Sequence, residues 1–214
     1  MLKSNDLINK VKSYNKFLNP ETLDKAYNFA VKAHENQKRH SGDPYVIHPV
    51  AVANILTELK LDSATIATGL LHDTIEDTHA TYQTIKQEFG QEVADLVEGV
   101  TKISELENQA KANSRAENFR KLIIATSKDI RVLLVKIADR LHNMRTIHSI
   151  DKQEKKERIA RETMEIYSPL ADRMGMNRIR DELEDLSFEV LNPKARKLIK
   201  DRLDKIKLSL IHIS

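Results

Sequence analysis

The chain has 214 residues, enough for one large domain or two small ones. Hydrophobic residues make up 40% and charged residues 31%, and 35 Lys and Arg against 32 Asp and Glu leave a formal net charge of +3, too mild for bulk binding of DNA or RNA. The absence of cysteine excludes disulfides, thiolate catalysis and Cys-type zinc sites, so any metal must be held by His and carboxylate.

The N-terminal MLKSNDLINKVKS is polar and lacks a signal-peptide core, and no apolar run approaches the roughly 18 residues of a membrane span. A cytoplasmic protein without membrane contact is expected. Few Gly and Pro interrupt the chain, which favours long helices. Leu2–Phe17 has apolar residues at helical spacing. Pro20 opens a second helix, capped by Asn19 and running to about Gln37. Arg39–Tyr45 is a turn by composition. Pro49 opens a helix to about Leu59, and Asp62 or Ser63 caps the next one. Thr81–Phe89 is short and amphipathic with Gly90 as its stop, and Gln91–Val100 is another helix. Ser104–Arg115 is poor in apolar residues and reads as a mobile loop or a loosely packed helix. Glu117–Thr126, Ile130–Ile147, Lys152–Tyr167, Asn177–Val190 and Lys194–Leu208 complete an all-α reading. The apolar positions of the last helix (Leu203, Ile206, Leu208, Leu210, Ile211) suit packing on the domain or a homo-oligomer.

The segment GLLHDTIEDT gathers four ionisable side chains after the apolar run Ile66–Leu71. On a helix, Glu76 lies one turn beyond His72, and Asp77 one turn beyond Asp73. Clustered carboxylates against apolar surface are a liability that a divalent metal turns into a ligand set. Farther on, Asp139, Asn143, Thr146 and Ile150 fall on one helical face, a mixture that suits a ligand groove, with Asp139 toward a metal. His48, just before Pro49, sits at a helix start where its ring can enter a cleft. Three segments thus each offer a metal-type ligand.

The turn Arg39, Ser41-Gly42, Pro44-Tyr45 and His48-Pro49, followed by LLHDTIEDT, EFGQEVADLVEGVTKI, ENFRKL, KIADRLHNMRT and IARETMEIYSPLADRMGM, resembles the hydrolase domain of RelA/SpoT-homologue proteins, members of the HD phosphohydrolase superfamily. The resemblance covers about residues 20–192. It implies an HD-type helical fold with a metal site between helices, spanning 1–192, and a C-terminal helical tail at 193–214. It implies removal of the 3′-pyrophosphate from the guanine nucleotides ppGpp and pppGpp, to GDP or GTP, with Mn²⁺ as the metal. Carried onto this chain, the metal ligands are His48, His72, Asp73 and Asp139. Glu76 and Asp77 fall where the family orients and deprotonates the attacking water, and Arg39, Ser41, Asn143 and Thr146 match substrate contacts.

One position departs from the family. His40 stands where Lys or Arg is common, exchanging a permanent cation for a side chain mostly neutral at pH 7, so weaker binding of the guanine or phosphate end is expected. Arg115, Arg120, Arg158 and Arg161 are further candidates for polyphosphate contact. His79, His142, His148 and His212 read as structural or surface residues, and Arg140 as an internal ion-pair partner. Two alternatives stand beside the hydrolase reading: a weakened nucleotide-binding module or fragment of a split protein, and a small HD hydrolase acting on another nucleotide such as NADPH. Too little chain follows Leu191 for a synthetase domain, so no ATP-dependent pyrophosphate transfer is expected.

Overall fold

The computed structural model describes residues 3–16, 18–39, 41–109 and 128–211, and among these no strand forms, only an isolated bridge between Lys38 and Pro44. None of their helices is long and apolar enough to cross a membrane. The chain forms two compact units, Met1–Asn143 and Met144–Ser214.

The first unit contains α1 (Ser4–Lys12), α2 (Pro20–Ala33), α3 (Ile47–Glu58), α4 (Ser63–Leu71), α5 (Thr74–Asp77), α6 (Tyr82–Phe89), α7 (Gln91–Gln109) and α8 (Ile130–Arg145), whose last two residues pass into the second unit. Its starts follow local chemistry. Asn19 accepts from the Glu21 N–H at 3.0 Å, Asp62 from Thr65 at 2.7 Å and Thr81 from Thr84 at 3.2 Å, each cap contributing about 1 kcal/mol. Gly90, at φ 88°, supplies the left-handed residue that ends α6.

Helix α4 is the centre of this unit. Its sequence SATIATGLL is apolar on nearly every side, and Thr65 through Leu71 are all buried. It packs against α2, α3 and α7. Gly69 permits the closest approach: a Cβ there would stand 2.6 Å from Leu56 Cδ1 and 3.3 Å from Ala53 Cα. Gly99 plays the same part between α7 and α8, where a Cβ would meet Val132 Cγ2 at 2.8 Å. Arg131 ties the start of α8 to Asp62 at 3.1 Å and Glu92 at 2.7 Å.

Two local expectations change and one open alternative is decided. The helix bearing the His-Asp pair ends at Leu71; His72 and Asp73 form a turn, and α5 restarts at Thr74. Helix α7 runs on to Gln109, so Ser104–Gln109 is helical, with Ile103 and Ser104 buried. Helix α8 stops at Arg145, so the face expected to continue through Thr146 and Ile150 ends at Asn143. The helix expected at Glu117–Thr126, together with His40, Arg115, Arg120 and His212, lies outside the described residues.

The second unit holds a 3₁₀ turn (Ile147–Ser149), α9 (Gln153–Glu162), a π-helical turn (Thr163–Tyr167), α10 (Ser168–Arg173), α11 (Asn177–Leu191) and α12 (Pro193–Ile211). Pro169 has no N–H for the Glu165 carbonyl and its ring crowds that turn, which accounts for the widened helix before it. Ala160, Ile166, Tyr167, Leu170, Ala171, Ile179 and Leu183 are buried here. Asn192, near the start expected for the C-terminal tail, lies between α11 and α12 within this unit. Arg158 and Arg161 are exposed on α9, and Leu198, Ile199, Leu203 and Ile206 are exposed on α12.

Candidate metal centre

His48 is the second residue of α3, His72 and Asp73 form the turn after α4, and Asp139 lies in the third turn of α8. The three elements bring these side chains together. One donor atom each from His48, His72 and Asp139 lies within 4.8 Å of the others, and all three residues are buried. His48 Nε2 is 3.2 Å from Asp139 Oδ1 and 3.5 Å from Asp73 Oδ2. His72 Nε2 is 3.0 Å from Asp73 Oδ1 and 4.0 Å from Asp139 Oδ1.

The protons on the far sides of the rings decide what faces the centre. His72 Nδ1 lies 2.9 Å from the Gly69 carbonyl, which only accepts, so Nδ1 carries the hydrogen and Nε2 of the neutral ring presents its lone pair. That Nε2 is buried and makes no hydrogen bond. Asp73 Oδ1 is near enough for an ion pair but is not aligned as an acceptor. Lone pairs and carboxylate oxygens converging without intervening hydrogens require a cation. The donor set of two imidazoles and two carboxylates suits a divalent metal, so the residues fit the group that the motif implies.

Without a metal, a proton takes that place. Burial opposes charge on His72, but Asp73 and Asp139 outweigh it and push its pKa up to about 9. Burial lowers His48, which stays neutral against the partial opposition of Asp139 and Asp73. Burial also works against ionisation of Asp73, yet His72 and His48 hold its carboxyl well below the usual range. Asp139 behaves alike: burial would raise it, while Lys136 and His48 hold it far down.

A second layer surrounds the cluster. Lys136 Nζ is buried and donates to Asp139 Oδ2 at 3.1 Å and Ser104 Oγ at 3.0 Å. Asn143 Nδ2 donates to Asp139 Oδ1 at 2.6 Å. Arg39 donates from NH2 to Asn143 Oδ1 at 2.8 Å, and its NH1 is 3.1 Å from His142 Nδ1. His142 Nδ1 in turn is 2.8 Å from His48 Nδ1. The Tyr45 hydroxyl is 2.8 Å from both Asp73 Oδ2 and Asp77 Oδ2. Burial and both carboxylates push the Tyr45 pKa up, so it keeps its single proton, which the two acceptors share. Gln37 Nε2 donates to the Asp77 carbonyl at 2.6 Å, fixing the same turn.

Glu76 and Asp77 are exposed at the rim. Glu76 is pushed above the ordinary carboxylate value, first by burial of its carboxyl and then by Asp73 and Asp77, against the pull of Ser104 and Lys136. Ser41, on the exposed turn, donates to Asp43 at 2.8 Å. Thr146 belongs to the second unit, just past the end of α8.

His48, His72, Asp73, Asp139, Arg39 and Asn143 are therefore joined in one polar network, with Asp77 attached through Tyr45. Of the two readings left open for His142, structural or surface, the structural one holds, since it is buried and touches His48 directly. Lys136, Ser104 and Tyr45 carried no assigned role. Lys136, Asp139, His142 and Asn143 recur at spacings of three and four along α8, and that run of polar groups on a buried face was the available signal.

An all-helical domain with this His-His-Asp cluster defines a class, and a profile of the HD domain family matches residues 26–177; the chain belongs to that family. It is homologous to RelA/SpoT-type proteins. It is 53% identical over 206 residues to the GTP pyrophosphokinase rsh of Brucella melitensis, covering 96% of this chain and 27% of that protein. It is 56% identical over 179 residues to the bifunctional (p)ppGpp synthase/hydrolase SpoT of Escherichia coli K12, covering 84% and 25%. The guanosine-3′,5′-bis(diphosphate) 3′-pyrophosphohydrolase of Shigella flexneri matches to the same extent. The chain spans about a quarter of the length of these curated relatives. A solved structure of a metazoan SpoT orthologue that hydrolyses ppGpp shares the fold, with a TM-score of 0.58 at 24% identity, over 83% of this chain and 97% of that one.

Proposed function

We propose that this chain is a manganese-dependent hydrolase that removes the 3′-pyrophosphate of ppGpp and pppGpp. The observation that carries the reading is the gathering of one donor atom each from His48, His72 and Asp139 within 4.8 Å of one another, with Asp73 oxygens 3.0 Å from His72 Nε2 and 3.5 Å from His48 Nε2. The activities for which relatives 56% identical to this chain are named supply the substrate class.

In this reading the four side chains hold the metal, and a bound divalent ion would acidify water and draw charge from a phosphoryl group. The remaining work belongs to the chain. Glu76, its pKa raised by burial, accepts the proton of the attacking water, a contribution of typically about 10²–10⁴-fold. Asp77 is oriented by Tyr45 and Gln37 to align that water. Ser41 lies on the exposed turn before α3, and with Arg39 and Asn143 at the network's edge it is assigned to the nucleotide.

Purified protein given Mn²⁺ and ppGpp is expected to release pyrophosphate and GDP, and Asp73→Ala to abolish turnover while leaving the fold intact. A folded, Mn²⁺-loaded wild-type protein that releases no pyrophosphate overturns the proposal. Metal analysis in parallel identifies the ion, and NADPH in the same assay identifies a different nucleotide preference.

A further inference from the structure

Arg39 touches His142 and Asn143, which in turn touch His48 and Asp139, so its chemistry reaches two ligands at once. A guanidinium has five N–H donors and no acceptor. His142 Nδ1, 3.1 Å from Arg39 NH1, must therefore present a lone pair. The same nitrogen is 2.8 Å from His48 Nδ1, so the hydrogen of that contact belongs to His48. With its hydrogen on Nδ1, neutral His48 presents the Nε2 lone pair to Asp139 and Asp73. The alternative tautomer would aim an N–H at the place of the cation and set two lone pairs against each other at 2.8 Å.

The second arm works in the same way. Arg39 NH2 donates to Asn143 at 2.8 Å, so the atom it meets is the amide oxygen. The NH₂ of Asn143 is then turned onto Asp139 Oδ1 at 2.6 Å, fixing that carboxylate's rotation.

We infer that Arg39 is a positioning residue for the metal site, setting the tautomer of His48 through His142 and the orientation of Asp139 through Asn143. The inference rests on the metal site of the proposed function, but not on the identity of the nucleotide. It gives Arg39 a task that precedes substrate.

The test uses the full chain, first without nucleotide and then in the ppGpp assay. In metal-free protein with ¹⁵N-labelled histidine, the His48 signals should be those of a ring protonated at Nδ1. In Arg39→Met the His142 nitrogen loses its obligate donor, and the His48 signals should move toward a mixture of both tautomers. Mn²⁺ affinity by calorimetry should weaken roughly 10–100-fold, the range seen when partners behind metal ligands are removed. Arg39→Lys, also donor-only but without the fork, should restore the His48 signals and leave Mn²⁺ binding weakened. A wild-type His48 protonated at Nε2 overturns the inference without recourse to any variant. So does an Arg39→Met protein with unchanged His48 signals and Mn²⁺ affinity and only a raised KM, which makes Arg39 a nucleotide clamp. Failure of the nucleotide reading appears separately, as wild-type protein that binds Mn²⁺ and turns over no ppGpp.

Discussion

Lys136→Met should destabilise the metal-free protein in a pH-dependent way. The ammonium lies 3.1 Å from Asp139 Oδ2, and both side chains are more than nine-tenths buried. At an effective dielectric of about 20, that separation corresponds to an attraction of about 5 kcal/mol. Removing the ammonium also removes its own burial penalty, and His48 remains beside the carboxylate. The net loss expected at pH 7 is about 3 kcal/mol, the low end for breaking a buried pair from one side. Burial tends to raise Asp139, and Lys136 leads the groups that hold it well below the usual range. A carboxyl depressed in this way contributes stability that is complete above its unfolded pKa, about 3.9, and is lost as pH falls toward the folded value. The variant moves Asp139 back up, so the stability difference should be largest near neutrality and shrink below about pH 4. Urea unfolding of both proteins in chelator, followed by far-UV circular dichroism at pH 7 and at about pH 3.5, measures it. A loss under about 1 kcal/mol at pH 7 would refute the reasoning, as would the same loss at both pH values.

Three further outcomes follow from distances already given. Burial disfavours charge on His72, but Asp73 and Asp139 prevail and leave it protonated up to about pH 9. Metal uptake at pH 7 should therefore release about one proton, and apparent affinity should fall as pH is lowered from about 9; calorimetry in buffers of different ionisation enthalpy counts that proton, and zero release contradicts the assignment. Gly69→Ala places a Cβ 2.6 Å from Leu56 Cδ1 and 3.3 Å from Ala53 Cα, so a loss of about 1–3 kcal/mol is expected in thermal or urea unfolding, and unchanged stability would mean that Leu56 turns aside and the α3–α4 approach does not require glycine. Tyr45→Phe removes the hydrogen shared by Asp73 and Asp77 and should lower kcat for ppGpp about 10–100-fold with little change in unfolding midpoint; equal kcat would remove Tyr45 from the site's support.

Much of this arrangement is legible in the chain because metal ligands leave a chemical signature that packing does not erase. His72-Asp73 stands out since ionisable groups follow directly on an apolar run, and the structure shows why: α4 is the buried core helix, and its last turn delivers the pair to the interior. Asn19, Asp62, Thr81 and Gly90 mark helix ends through local hydrogen bonds and backbone freedom, which need no tertiary context. The misses and the undecided reading have a different origin. Ser104–Gln109, poor in apolar residues, leaves a loop and a loosely packed helix both open; the helix forms, and Lys136 supplies a buried partner for the Ser104 hydroxyl. The face through Thr146 fails because α8 ends after Arg145, with neither Gly nor Pro to announce it. Lys136 is hidden inside VLLVKIAD, where one lysine among apolar neighbours suggests a side chain reaching for solvent. The contacts of Tyr45 and His142 join segments 28 and 94 residues apart, and no local pattern encodes such a pairing.

The charges of the cluster explain why so polar an interior is tolerated. Asp73 and Asp139 are both held ionised, against one ammonium on Lys136 and one proton on His72, so the metal-free core is electrically balanced. Buried carboxylates without those two cations would each carry a penalty of several kcal/mol. A divalent cation held by these side chains in place of the His72 proton would leave the same groups with one positive charge in excess, set where the effective dielectric is low and attraction to an anion is strong. That excess would favour an anionic ligand over a neutral one before any specific contact forms. Glu76 and Asp77 then set the opposing limit. Both are exposed, and their carboxylates oppose the approach of an anion.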